Sequence, residues 1–288
     1  MGSKRVSGKA GKRVSTGGQR PSQESQSQSS LLRENPLSGM VPRFEIPGWS
    51  ERYGVVAGIT GRGSEPGRGF DLGLWSSEPV GDVMSRWLTF RREMANFPAV
   101  VLGNQVHGVE VMSVDGGRGW IQMEGIDGWI TTQPGILLTV TIADCVPVYL
   151  LAPSRGVALL HAGWRGTAGG ILGVGVDRLL AETGCPVKEI VMHCGVGICG
   201  ECYEVGSEVM LGCGAAADGP GPWHIDLREQ LMKQARVLGL DHVTNSAWCS
   251  AHDRRRFYSH RASGGTDGRM VAYVGMPMEP AGHRVLSQ

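Results

Sequence analysis

Hardly any apolar side chain occupies the first thirty residues beyond Val6, Ala10 and Val14. The apolar core of a secretory signal is therefore missing. Charge is scarce as well. Asp, Glu, Lys and Arg make up 19% of the chain, against roughly 25% in an average domain. With 41% apolar residues, the sequence is not that of a wholly disordered chain. A large net charge is also absent. Residues 1–40 hold seven basic and two acidic residues, and the remainder holds 21 basic and 25 acidic. The folded part is thus mildly acidic, which argues against a basic groove for nucleic acid as the main function. No Gly-X-Y period and no internal repeat are visible, so collagen and solenoids are excluded.

Glycine, by contrast, is abundant, with 45 of 288 residues and only six of them before residue 41. The excess belongs to the folded part and points to many tight turns and close backbone approaches. The seven cysteines are an odd number without a secretory signal. They read as cytoplasmic thiols, to be weighed as metal ligands or reactive groups before disulfides.

Residues 1–40 read as a disordered, basic, Ser/Gln-rich tail, or as sequence upstream of a start at Met40. Residues 41–288 read as one catalytic domain. Residues 134–153 form an apolar run with a single charge, Asp144, at its middle. An acid at the centre of a spanning helix costs roughly 2.5–3.5 kcal/mol. The run reads instead as two buried strands, 136–142 and 146–151, with a sharp turn at Ala143-Asp144-Cys145. A strand at 157–161, one helix over 166–182, a strand at 189–193 and a helix over 227–238 capped by Asp226 complete a mixed α/β (α+β) pattern.

Polar groups stand just past the ends of apolar strands. His107 follows Val100-Val101-Leu102, Cys145 follows the strand at 136–142, and His161 closes the strand at 157–161. Two imidazoles and a thiolate suit zinc or copper, and three protein ligands leave a fourth position open. The gaps of 38 and 16 residues match no local metal motif, so each group also reads as a polar residue capping a strand end. A second pattern, Cys194-x4-Cys199-x2-Cys202, copies the first three ligands of a plant-type iron–sulfur site. Its fourth ligand would be Cys213 or Cys249, and neither has the expected separation. The surrounding glycines favour a tight turn with incidental thiols.

The stretches Gln105-Val106-His107-Gly108, Thr141-Ile142-Ala143-Asp144-Cys145-Val146-Pro147 and His161-Ala162-Gly163-Trp164-Arg165-Gly166 resemble the multicopper-polyphenol-oxidase (laccase-domain) family. It is also called the YfiH or peptidoglycan-editing-factor family. Asp127, Cys202-Tyr203-Glu204-Val205-Gly206, Phe257-Tyr258-Ser259-His260-Arg261 and Gly268-Arg269-Met270 extend the likeness to about residues 54–275. The resemblance implies a layered α-β-β-α sandwich with mixed sheets. It implies zinc, with copper as the alternative, on His107, Cys145 and His161. The implied activity is phosphorolysis of adenosine, inosine, guanosine and methylthioadenosine, with deamination of adenosine to inosine.

On that basis Asp144 and Arg165 are the expected catalytic residues. Arg62, Gln105, Trp164, Tyr258 and Arg261 are expected to bind substrate. The partners are purine nucleosides and phosphate, with neither nucleic acid nor membrane. Three other readings compete. Cys145 is a nucleophile of an amide hydrolase acting on a peptidoglycan precursor. The chain is a copper-dependent polyphenol oxidase. Or it is a zinc-stabilised interaction module, in which His252 or Cys249 closes the site.

Overall fold

The structure is a computed structural model that describes residues 1–2, 30–64, 69–75 and 78–278. In chain order it begins with β1 (Ser30–Leu32), β2 (Asn35–Leu37), β3 (Arg43–Glu45), α1 (Trp49–Tyr53) and β4 (Val56–Thr60). Next come α2 (Val80–Glu93), β5 (Ala99–Asn104), β6 (Val111–Ser113), β7 (Gly119–Glu124) and β8 (Gly128–Thr131). The centre holds β9 (Ile136–Ile142), β10 (Val146–Ala152), β11 (Gly156–Ala162), α3 (Trp164–Gly169) and α4 (Ile171–Thr183). β12 (Val191–Cys194), β13 (Glu204–Val205), α5 (Ser207–Gly212), β14 (Trp223–His224), α6 (Leu227–Leu238), β15 (His242–Ser246) and β16 (Met270–Gly275) follow.

Two seven-stranded mixed sheets carry the fold. One runs β1-β15-β12-β10-β11-β8-β6 and the other β2-β3-β4-β16-β9-β5-β7. Alternation along each strand sorts the side chains into three apolar layers. Ile136, Leu138, Val140 and Ile142 of β9 meet Tyr149, Leu151, Val157 and Leu159 of β10 and β11 between the sheets. On the outer face of the first sheet, Val148, Leu150, Ala158 and Leu160 lie under Ile171, Val176 and Leu179 of α4 and Leu231 of α6. Trp87 and Phe90 of α2 cover the outer face of the second, over Leu137 and Tyr273. The layers are α-β-β-α, as the family resemblance implies. Burial on both faces explains why the run at 134–153 is apolar throughout rather than alternating. Each such buried side chain contributes about 1.5–3 kcal/mol.

β9 and β10 belong to different sheets. The short turn between them is thus one of the points where the chain crosses from one sheet to the other. It lies at the same end of the sandwich as the loop after β5 and the end of β11.

Three expectations change. The single helix over 166–182 is two helices, because Gly170 adopts the left-handed conformation (φ 83°) between α3 and α4. The strand expected at 189–193 starts two residues later, after a 3-10 turn at Val187–Glu189. The boundary at residue 40 is also displaced, since residues 30–37 supply β1 and β2, one to each sheet. Glu34 is the physical reason. Its buried carboxylate meets His193 Nε2 at 3.1 Å and accepts from Ser246 Oγ at 2.8 Å. A chain started at Met40 would leave that imidazole and hydroxyl buried without their partner. Residues 3–29 of the expected tail lie outside the described residues. Helix α6 forms as expected, with the Asp226 carboxylate accepting the Arg228 N–H. Among the described residues no helix is long and apolar enough to cross a membrane.

Candidate metal centre

His107, Cys145 and His161 converge at that end of the sandwich, with their ligand atoms within 4.8 Å of one another. Their burial is graded. His161 is buried, Cys145 half-buried and His107 exposed. The imidazole rings of His107 and His161 lie 4.8 Å apart at 71°.

Asp127, fully buried just before β8, organises the set. Its Oδ1 meets His161 Nδ1 at 2.8 Å and accepts the His107 N–H at 3.0 Å. Its Oδ2 accepts the Val106 and Gly108 N–H groups at 3.1 and 2.8 Å. One carboxylate therefore does two things. It holds the proton on His161 Nδ1, so that Nε2 is the donor turned to the centre. It also fixes the loop that carries His107, whose backbone is left-handed (φ 61°). Burial works against the Asp127 charge. The hydrogen bonds from His161 and the loop amides outweigh burial and hold the carboxyl below its ordinary range.

Asp144 is the second non-glycine residue at the site with a left-handed backbone (φ 87°). Ser250 Oγ donates to its Oδ1 at 2.6 Å and the Arg261 N–H to its Oδ2 at 2.7 Å. The Ile198 N–H donates to its backbone carbonyl at 2.9 Å. These contacts hold the turn that aims Cys145 inward. Below the triad, Gly163 leaves no room for a side chain, since a Cβ there would lie 2.9 Å from His107 Cδ2 and 3.1 Å from Cys145 Sγ.

The electrostatics pair the thiol with the imidazole. Burial pushes the Cys145 thiol up, but the charge on His161 and hydrogen bonds from His107 and His161 bring it down to about 6. Burial lowers His161, but the Cys145 thiolate and Asp127 lift it to about 9. A half-buried thiolate beside two imidazoles, one with a fixed tautomer, is a donor set suited to a borderline-soft divalent ion. No fourth protein ligand joins it among the described residues. Cys249 and His252, weighed as closing ligands, stand in a different cluster. Three donors without a fourth give the geometry of an open site rather than a closed one.

The triad forms the floor of a cavity of about 470 Å³. Asp144, Gln105, Trp164, Arg165 and Arg261 line it. Gln105 has its amide engaged by Thr141, which donates N–H and Oγ1–H at 2.8 Å and accepts from Nε2 at 2.9 Å. It extends the β5–β9 pairing by one side chain. Arg165 is exposed and stacks on Trp164 at 4.4 Å. Two expectations are corrected. Arg62 is ion-paired with Asp267 and lies over the Tyr258 ring at 4.3 Å. Tyr258 itself is fully buried in the core between the sheets. Neither lines the cavity, because the sequence places them on a loop and strand end whose polar partners lie inside the protein. Tyr203, His260 and Arg269 line it instead. All three fall inside motifs singled out above, but spacing alone gave them no role.

The chain matches the model of the family described as multi-copper polyphenol oxidoreductase laccase over residues 53–277. It is 34% identical over 247 residues to purine nucleoside phosphorylase YlmD of Geobacillus stearothermophilus, covering 77% of this chain and 90% of that protein. It is 32% identical over 241 residues to adenosine deaminase RL5 from an unknown prokaryotic organism, covering 75% and 92%. Its fold is similar to the crystal structure of YlmD from Geobacillus stearothermophilus, with a TM-score of 0.74 at 28% identity over 85% of this chain and 100% of that one.

Proposed function

Because the chain belongs to the multi-copper polyphenol oxidoreductase laccase family, we propose that it is a zinc-dependent purine nucleoside phosphorylase that also deaminates adenosine. Adenosine, inosine, guanosine and methylthioadenosine are the substrates of this reading, and phosphate is the co-substrate. The observation that carries it is the three-ligand centre on the floor of a cavity walled by aromatic rings and guanidinium groups. The names of the relatives point the same way. Copper is the alternative occupant, since thiolate and imidazole suit both ions. Seven free thiols suit a reducing, cytoplasmic compartment.

His107, Cys145 and His161 would hold the ion. When bound in an open site it supplies Lewis-acid activation of water or of a substrate oxygen. The remaining work falls to the chain. Arg165, Arg261 and Arg269 line the cavity, and guanidinium forks match the oxygens of phosphate. Trp75, Trp164 and Tyr203 offer flat faces for a purine ring. Asp144 is the proton carrier of this reading. Two of the roughly four lone-pair sites of its carboxylate are taken by Ser250 and Arg261, and the rest are left for a substrate proton.

One observation favours a second reading. Asp127, His161 and Cys145 also form an orienter–base–nucleophile relay, the arrangement of a cysteine amide hydrolase. Product analysis separates the two. Adenosine is incubated with the loaded protein, with and without phosphate, beside His161→Ala. The expected result is adenine only with phosphate and inosine in both, each lost in the variant. No turnover of any nucleoside by a zinc-loaded chain overturns the purine reading.

A pH prediction follows from the coupled pair. Binding the ion requires the Cys145 thiolate and a neutral His161. Between pH 6 and 9 the empty site holds the thiolate with a protonated imidazole, so loading releases one proton. Affinity for zinc is expected to rise about tenfold per pH unit across that window. Below pH 6 the thiol is protonated as well and the slope steepens. Competition against a chelator of known pH dependence measures this. A flat profile between pH 6 and 9 contradicts it.

A further inference from the structure

A second group of soft donors lies outside the cavity. Cys199, Cys202, Cys249 and His252 bring their ligand atoms within 4.8 Å of one another. We propose that these four residues form a second, closed metal site of the tetrahedral zinc type, whose role is structural.

The sequence spacing has the form of two metal knuckles, Cys199-x2-Cys202 and Cys249-x2-His252. Each places its two donors on one turn. The Cys202 and Tyr203 N–H groups donate to the Cys199 carbonyl at 3.1 and 3.0 Å, and the Asp253 N–H to the Cys249 carbonyl at 2.8 Å. The Cys199 N–H also donates to Cys249 Sγ at 3.3 Å, a contact that stabilises a thiolate. His252 presents Nδ1 to Cys199 Sγ at 3.7 Å, while Glu201 Oε2 stands 3.8 Å from its Nε2. A carboxylate behind a histidine is the usual means of orienting a metal-binding ring.

Three thiolates and an imidazole select a soft or borderline ion, and four protein ligands leave no open position. The iron–sulfur pattern does not fit. Cys194, its first member, is buried among the side chains under α4 and α6 and is not part of the cluster. The closed site joins two segments that meet in a bridge between Gly197 and Cys249. Those segments carry Ile198 and Ser250, both bonded to Asp144. The second metal thus sets the loop that holds the cavity turn. This inference stands whether or not the purine reading does.

The test is metal content of the full chain, purified from zinc-supplemented cells and dialysed. Two zinc ions per chain are expected. In the double variant Cys145→Ser, His161→Ala, which removes the first centre, one should remain. Cobalt exchanged into that variant should give an intense thiolate-to-cobalt charge-transfer band, lost on adding Cys199→Ser. If the triple variant fails to fold, the band in the double variant decides. A folded double variant without metal overturns the proposal. So does a Cys199–Cys202 disulfide, found by counting thiols in the unreduced, denatured chain.

Discussion

Replacement of Asp127 by Asn is expected to weaken metal retention about 10- to 100-fold and to cost about 3–5 kcal/mol of stability. The carboxylate accepts four donors, three of them consecutive backbone amides, and is fully buried. An asparagine side chain keeps one acceptor oxygen and turns an NH2 group toward N–H donors. At least one loop amide then loses its partner. The loop is released from the conformation that holds His107 at positive φ. His161 loses the acceptor for Nδ1–H, so its ring is free to flip tautomer and present the wrong nitrogen. Both effects reach the metal through its ligands. Chelator competition reads the first magnitude and denaturant unfolding the second. Unchanged metal retention in the variant would remove Asp127 from the site.

Gly163→Ala should separate activity from stability. The residue precedes α3 with φ −75° and ψ 175°, a conformation any residue adopts. Alanine therefore brings no backbone strain. Its only cost is the methyl group, which enters the contact distance of His107 Cδ2 and Cys145 Sγ. Two ligands must move apart by a few tenths of an ångström or more. A misplacement of that order in a catalytic constellation costs up to about 10²-fold in turnover. The expected result is a loss of adenosine phosphorolysis approaching that size, with melting temperature near that of the parent. A variant with parental turnover would show that the triad tolerates displacement and is not the reacting centre.

The central strands were legible because both their faces are buried. An apolar run broken by Asp144 and followed by Pro147 can only be two strands and a turn, and β9 and β10 begin at the expected residues. That the turn crosses between sheets was not legible, since pairing partners are distant in sequence. The triad was visible as polar residues past strand ends. Asp127 stood in the same kind of position, just before an apolar strand, but its partners lie 19 to 34 residues away and leave no local pattern. The split helix is a case of two adjacent glycines, Gly169 and Gly170, read as tolerated when the second ends the helix. Cys199-x2-Cys202 is legible as a ligand pair, but iron–sulfur spacing does not lead to its spatial neighbours. The nearest thiol upstream, Cys194, points into the core, and the true neighbours Cys249 and His252 come from the far side of α6 in sequence. Arg62 and Tyr258 stand in motif segments, and a motif does not say which face of the loop its side chains take.

The most direct measurement is adenosine turnover by the chain after chelation and again after reloading with zinc, in the presence of phosphate. The account predicts loss of adenine release on chelation and its return with zinc, in wild type but not in His161→Ala. Full turnover by the metal-free chain would contradict it.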